Sequence, residues 1–168
     1  MEEEIINRVA NSKLKVIDLE DYYPSGSRKV IDIKDWLFQE LVLREKEFRA
    51  HVKAHDWTQY ENSYAAVYCS SDAIIPDWAY MLITSELEPF AKVSIVGSLD
   101  LLETVVYHDI IEDLDISIYQ DMPVIIKGCA TKPVPLNALN FLTSKLKPVA
   151  KSIMYGEACS AVPIFKRK

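Results

Sequence analysis

The stretch PDWAYMLITSELEPFAKVSIVG, Pro76 to Gly97, decides the fold, because it returns 59 residues later as PLNALNFLTSKLKPVAKSIMYG, Pro135 to Gly156. Nine of the 22 positions are identical without a gap: Pro76/Pro135, Ala79/Ala138, Thr84/Thr143, Ser85/Ser144, Leu87/Leu146, Pro89/Pro148, Ala91/Ala150, Lys92/Lys151 and Gly97/Gly156. Average residue usage gives roughly one or two such matches by chance. Any two strand-helix-strand units share proline starts and glycine stops, but that does not account for a shared Thr-Ser pair and a shared Ala-Lys pair. The sequence therefore points to a duplicated βαβ unit, one copy over residues 64–97 and the other over 123–156. Each copy opens a helix at a proline, stops it before a second proline, and closes the following strand at a glycine.

Outward from the repeat, the same grammar continues. YAAVYC, KVSIVG, VIIKGC and KSIMYG read as short apolar strands, and IIPDWAYMLITSEL, LDLLETVVYHDIIEDL and VPLNALNFLTSKL as the helices between them. Wholly apolar strands alternating with helices predict parallel pairing through right-handed crossovers. Residues 14–43 read differently: KLKVIDL and RKVIDI flank a turn at Pro24, Ser25 and Gly26, with LFQELVL beyond, which predicts an antiparallel hairpin extension with a third short strand. The carboxylate pairs Asp18/Asp21 and Asp32/Asp35 in it read as solvated turns. REKEFRAHVKAHD suits a helix with Phe48 and Val52 inward, and Trp57 to Asn62 a loop. The expected architecture over residues 1–168 is one α/β domain: a mainly parallel sheet plus that extension.

Composition narrows the function classes. A chain of 168 residues, 49% hydrophobic and with four glycines, can bury a real core. Its net charge of -6 opposes binding to a nucleic-acid backbone, and the only basic run, Lys166 to Lys168, reads as a solvated tail. No apolar run is long enough to span a membrane, and MEEEII carries the wrong charge for a secretory signal, so a cytoplasmic location is expected. Three cysteines in a reducing compartment argue against a disulfide framework and leave thiols or metal ligands.

Those thiols mark the candidate site. In parallel α/β sheets, ligands bind at the carboxyl ends of the strands. Cys69 and Cys129 end the first strand of each repeat, and Cys159 lies three residues past Gly156, so all three are expected at one sheet edge. Helix N-termini near Pro76 and Pro135 would favour thiolate there. Three thiolates make a partial zinc site, with Asp72 in CSSD or Glu157 in GEAC as a further ligand or general base, and an iron-sulfur cluster is the variant of the same idea. The competing reading is that free cysteines pack the core of a non-catalytic binding or scaffold homodimer. His51, His55 and His108 belong away from that edge, in spite of the HxxxH spacing of the first two. Lys127, two residues before Cys129 in an apolar strand, calls for a carboxylate, and Asp72 and Glu157 are the local choices.

Five stretches carry a resemblance: INRVANSKL, DIKDWLFQELVLREKEFR, CSSDAIIPDWAYMLI, IKGCATKPVP and KSIMYGEACSAVPIFK. Together they make the chain similar, over nearly its whole length, to an uncharacterised bacterial family of unknown function. That resemblance implies a relative but no reaction, so the cysteine argument rests on the residues themselves.

Overall fold

The computed structural model describes residues 13–128 and 131–168. The strands are β1 (Lys15–Asp18), β2 (Arg28–Asp32), β3 (Tyr64–Tyr68), β4 (Val93–Val96), β5 (Pro123–Lys127), β6 (Ser152–Tyr155) and β7 (Val162–Lys166). The helices are α1 (Glu45–Ala54), α2 (Asp77–Leu87), α3 (Leu99–Asp113) and α4 (Leu136–Leu146). They build an α/β molecule with two mostly parallel sheets, ordered β2-β3-β4 and β1-β5-β6-β7. Two compact units divide the chain: residues 24–106 form a continuous unit, and the residues before 24 and after 106 form a split unit. Among the described residues no helix is long and apolar enough to cross a membrane.

The expected hairpin over residues 14–43 does not form. β1 instead runs parallel to β5, with Asp18 opposite Lys127, and β2 runs parallel to β3, with Asp32 opposite Tyr68. The physical reason lies in the central strands. Val124, Ile125 and Ile126 of β5 and Ala65, Ala66 and Val67 of β3 are buried to the last few per cent, and such strands need a hydrogen-bonded neighbour on each side. The two KVID segments satisfy that need separately, so two sheets form where the sequence suggested one. LFQELVL is no strand either. Gln39 and Glu40 take positive φ values of 51° and 60°, and the segment doubles back through a single Phe38–Val42 bridge. The helix around Phe48 and Val52 is present as α1, with both residues buried. The final strand, β7, unexpected from the sequence, carries Pro163, and an edge position is where a strand tolerates it.

Each unit has its own core, built from the same spacing. α2 buries Ala79, Ile83 and Leu87, and α4 buries Ala138, Leu142 and Leu146, a stripe at i, i+4 and i+8 in both. Fully burying each of the larger side chains among them, Ile83, Leu87, Leu142 and Leu146, is worth about 1.5–3 kcal/mol. Positions 59 residues apart also share backbone bonds. Asn62 donates to the Phe90 carbonyl at 3.0 Å and Asp121 to that of Val149 at 2.9 Å. Gly97 donates to Val67 at 2.9 Å and Gly156 to Ile126 at 3.1 Å. The shared threonines bond back one turn, Thr84 to the Tyr80 carbonyl at 2.9 Å and Thr143 to that of Leu139 at 2.7 Å. Asn62 and Asp121 hold φ values of 56° and 55°, a left-handed conformation that Asn and Asp tolerate best among side-chain-bearing residues.

Candidate functional site

In the split unit, β1, β5 and β6 are parallel neighbours, so their carboxyl ends share one edge of the sheet. There a cleft of about 180 Å³ is lined by Asp18, Glu20, Lys127, Gly128, Tyr155, Gly156 and Glu157. Local rules place each wall. Asp18 ends β1 and caps the 3-10 turn Leu19–Tyr22, its Oδ1 accepting from the Glu20 N–H at 3.0 Å. Lys127 ends β5 and Tyr155 ends β6, with the Tyr155 hydroxyl donating to the Gly128 carbonyl at 3.3 Å. Gly156, at φ 112°, turns the chain out of β6 in a conformation suited to glycine. Glu20 straps the loop after β5: its carboxylate accepts from the Thr131 N–H at 2.8 Å and from the Thr131 hydroxyl at 2.7 Å.

The electrostatics of the cleft centre on Lys127. Its Nζ lies 2.7 Å from Glu157 Oε1, one of the two partners, with Asp72, that the sequence offers. The hydrogen bond to Glu157 lifts the lysine pKa above its ordinary value; desolvation works against this, and the charges of Glu157, Asp18 and Asp21 add to the rise. One ammonium thus faces several carboxylates, so the cleft suits a cation better than an anion.

The corresponding place in the continuous unit is built otherwise. Fifty-nine residues before Lys127, Gly128, Gly156 and Glu157 stand Tyr68, Cys69, Gly97 and Ser98. The cavity there, about 360 Å³, is lined by Val30, Ala66, Tyr68, Gly97, Ser98 and Leu99 and is largely apolar. Asp32 stands where Asp18 does, yet it is committed to a loop: it accepts from the Ser70 N–H at 3.1 Å and from the Ser70 hydroxyl at 2.6 Å. Burial works to raise its pKa, but the bonds from Ser70 and Lys34 and the Lys34 charge together hold it below the usual value.

Of the expected site residues, Cys69 follows β3, is half-buried against the core of the continuous unit, and has its Sγ 3.2 Å from Ser71 Oγ. Cys159 is a free, exposed thiol in the turn after β6. Cys129 lies outside the described residues. The three therefore do not follow strands of a single sheet, because β3 and β6 belong to different ones. Asp72 sits in the bend before α2 and does not cap it, since the N-cap is Pro76 without a side-chain bond. Among the described residues no three His, Cys, Asp or Glu side chains are gathered as a ready ion site.

The histidines have aromatic neighbours. His51 stacks on Trp36 at 6.4 Å between ring centres, His55 Nε2 is 3.0 Å from the Tyr60 hydroxyl, and His108 meets Phe141 edge-on at 5.0 Å. Burial lowers the His55 pKa, with Asp56 pulling the other way. The sequence reading misses Asp18, Glu20 and Tyr155, taking Asp18 and Asp21 for a solvated turn. A signal for the aspartate exists: KVIDLEDY (Lys15–Tyr22) and KVIDIKDW (Lys29–Trp36) are identical at five of eight positions, and each supplies one unit with a strand ending in Asp.

The chain belongs to the family described as protein of unknown function (DUF2480), whose model matches residues 3–167. No curated protein and no solved structure matches it.

Proposed function

We propose that this protein binds a soft divalent metal, zinc in the first place, at the carboxyl-end edge of the split unit's sheet, through the thiolates of Cys129 and Cys159 and the carboxylate of Glu157. One observation carries the reading: Gly128, the residue before Cys129, and Glu157, two residues before Cys159, line the same cleft. Two thiolates and one carboxylate leave a zinc site with one excess negative charge. Lys127, 2.7 Å from Glu157, is placed to neutralise it and to orient the carboxylate, as outer partners of metal ligands commonly do. The fourth position is open to water or substrate, where the ion would act as a Lewis acid. Cys69, packed on the other unit's core, is a structural residue in this reading. Free thiols at Cys69 and Cys159 accord with a reducing, cytoplasmic setting. The matched elements of the two units support a further proposal, that they descend from one duplicated segment.

The test is the metal content of full-length protein purified without chelator. One equivalent of zinc is expected, lost in Cys129→Ser and in Cys159→Ser and kept in Cys69→Ser. Metal-free native protein, or a Cys129→Ser variant that keeps its zinc, refutes the reading. Loss in Cys69→Ser as well would restore the three-cysteine set, and a coloured protein with charge-transfer absorbance would replace zinc by an iron-sulfur cluster.

A further inference from the structure

The two sheets differ at one edge. In the split unit the outer side of β6 is covered by β7, antiparallel, with Ser152 opposite Lys166 and Tyr155 opposite Val162. The equivalent strand of the continuous unit, β4, pairs only with β3, and among the described residues no strand pairs with its other side. Exposed edges are normally blunted by charge or proline. β1 carries Lys15 and Asp18, β2 carries Arg28, Lys29 and Asp32, and β7 carries Pro163 and Lys166. β4 is Val93, Ser94, Ile95 and Val96, with no such device, and Val96 is 46% exposed.

We propose that the outer edge of β4 is an interface for a second copy of this chain, which adds its own β4 antiparallel and joins the two three-stranded sheets into one. Backbone direction fits. Gly97 donates inward to the Val67 carbonyl, so strand alternation turns the N–H and C=O groups of Ser94 and Val96 outward. A two-fold axis beside Ile95 sets it against the partner's Ile95, Ser94 against the partner's Val96, and Val93 against the partner's Gly97. The nearest charge, Lys92, falls opposite the partner's Ser98, so no like charges meet, and the two Ile95 side chains face one another across the seam. The mode of closure is the one this chain already uses at β6, where an antiparallel strand takes the equivalent edge.

Sedimentation of the full chain tests this. The native protein is expected as a dimer. Ser94→Pro removes an N–H that only the partner uses, in an edge position that tolerates proline, and Val96→Lys places charge on the seam without touching the core. Each should raise the dimer dissociation constant roughly tenfold to a hundredfold with an unchanged circular dichroism spectrum. If Ser94→Pro unfolds, Val96→Lys alone decides. A native monomer at every concentration overturns the proposal, as does a dimer that survives Val96→Lys; a monomer that captures a different protein's strand on this edge overturns the choice of a second copy.

Discussion

The continuous and split units are two solutions to one backbone problem. Both set a KVID strand beside an apolar central strand, both follow with a helix that buries three residues one turn apart, and both close the third strand at a glycine. Their carboxyl-end edges nevertheless carry different chemistry. One has Lys127 and Glu157 facing across a polar cleft, while the other has Tyr68 and Ser98 at an apolar cavity. The frame is held by positions that the two share and the site by positions that they do not. Shared residues thus report on packing and differing ones on function, which is why the strongest sequence signal, the repeat, says so little about the reaction.

The frame is broken most severely in its core. Ile83→Ala and Leu142→Ala, equivalent and fully buried, are each expected to cost about 2–5 kcal/mol, and hydrogen exchange should show protection lost mainly in the unit that carries the change. A loss spread evenly over both units would show that the two cores do not act separately. Next come the strand-closing glycines, at φ values of 145° for Gly97 and 112° for Gly156. Alanine at either should cost about 1–3 kcal/mol from the backbone alone, read as a shift in the urea midpoint. At Gly97 the new methyl would also lie 2.6 Å from Leu101 Cδ2, but that is the end of a half-exposed side chain that can swing aside. The excess over Gly156→Ala should therefore stay under about 1 kcal/mol. A neutral Gly156→Ala would show that the turn after β6 does not need its glycine.

How far the sequence reaches follows the same division. Helices and central strands are legible because their apolar spacing is dictated locally: α2 starts one residue after the proline that announces it, and α4 does the same. What the sequence does not settle is partnership. KVIDL and KVIDI are good strands in any sheet, and only the unmet hydrogen bonds of β5 and β3 decide that each lies parallel to a distant segment rather than against its neighbour. That single choice moves Asp18 from a solvated turn to the wall of a cleft beside Lys127. It also separates the sheet that Cys69 follows from the one that precedes Cys159. Lys127 and Glu157 are within reach of sequence reasoning, because a lysine in an apolar strand demands a partner and few candidates stand nearby.

A smaller effect tests the polar cleft. Lys127→Met removes an ion pair whose partners remain largely in water, so its effect on stability near neutrality should be below that of either glycine. The sign with pH is definite. A lysine pKa raised by folding contributes stability that is fully present below its ordinary 10.5 and is lost as pH rises through the higher folded value. The difference in melting temperature between native protein and Lys127→Met should therefore shrink above that range. A gap that widens instead would mean that Lys127 is not held charged by Glu157.

The last prediction turns on a position where the units differ in a titrating group. His55 and Leu114 stand 59 residues apart, each just past its helix and ahead of a 3-10 turn. Leu114 packs against its core and has no charge to gain, whereas His55 is half-buried among Trp36, Trp57 and Tyr60. Burial depresses the imidazole pKa below its ordinary 6.5 in spite of the nearby Asp56. The unfolded chain then takes up the proton at a higher pH than the folded one. The resulting stability is present above 6.5 and is lost as pH falls through the lower folded value. Asp56 and the partial exposure of the ring keep this effect smaller still. In native protein, protection from hydrogen exchange, taken relative to the intrinsic rate at each pH, should fall across α1 and β3 on acidification through that window more than across β5 and α4. In His55→Leu, which copies the residue of the other unit, that part of the difference should vanish. Equal acid sensitivity in native protein and His55→Leu would mean that the proton is taken up elsewhere.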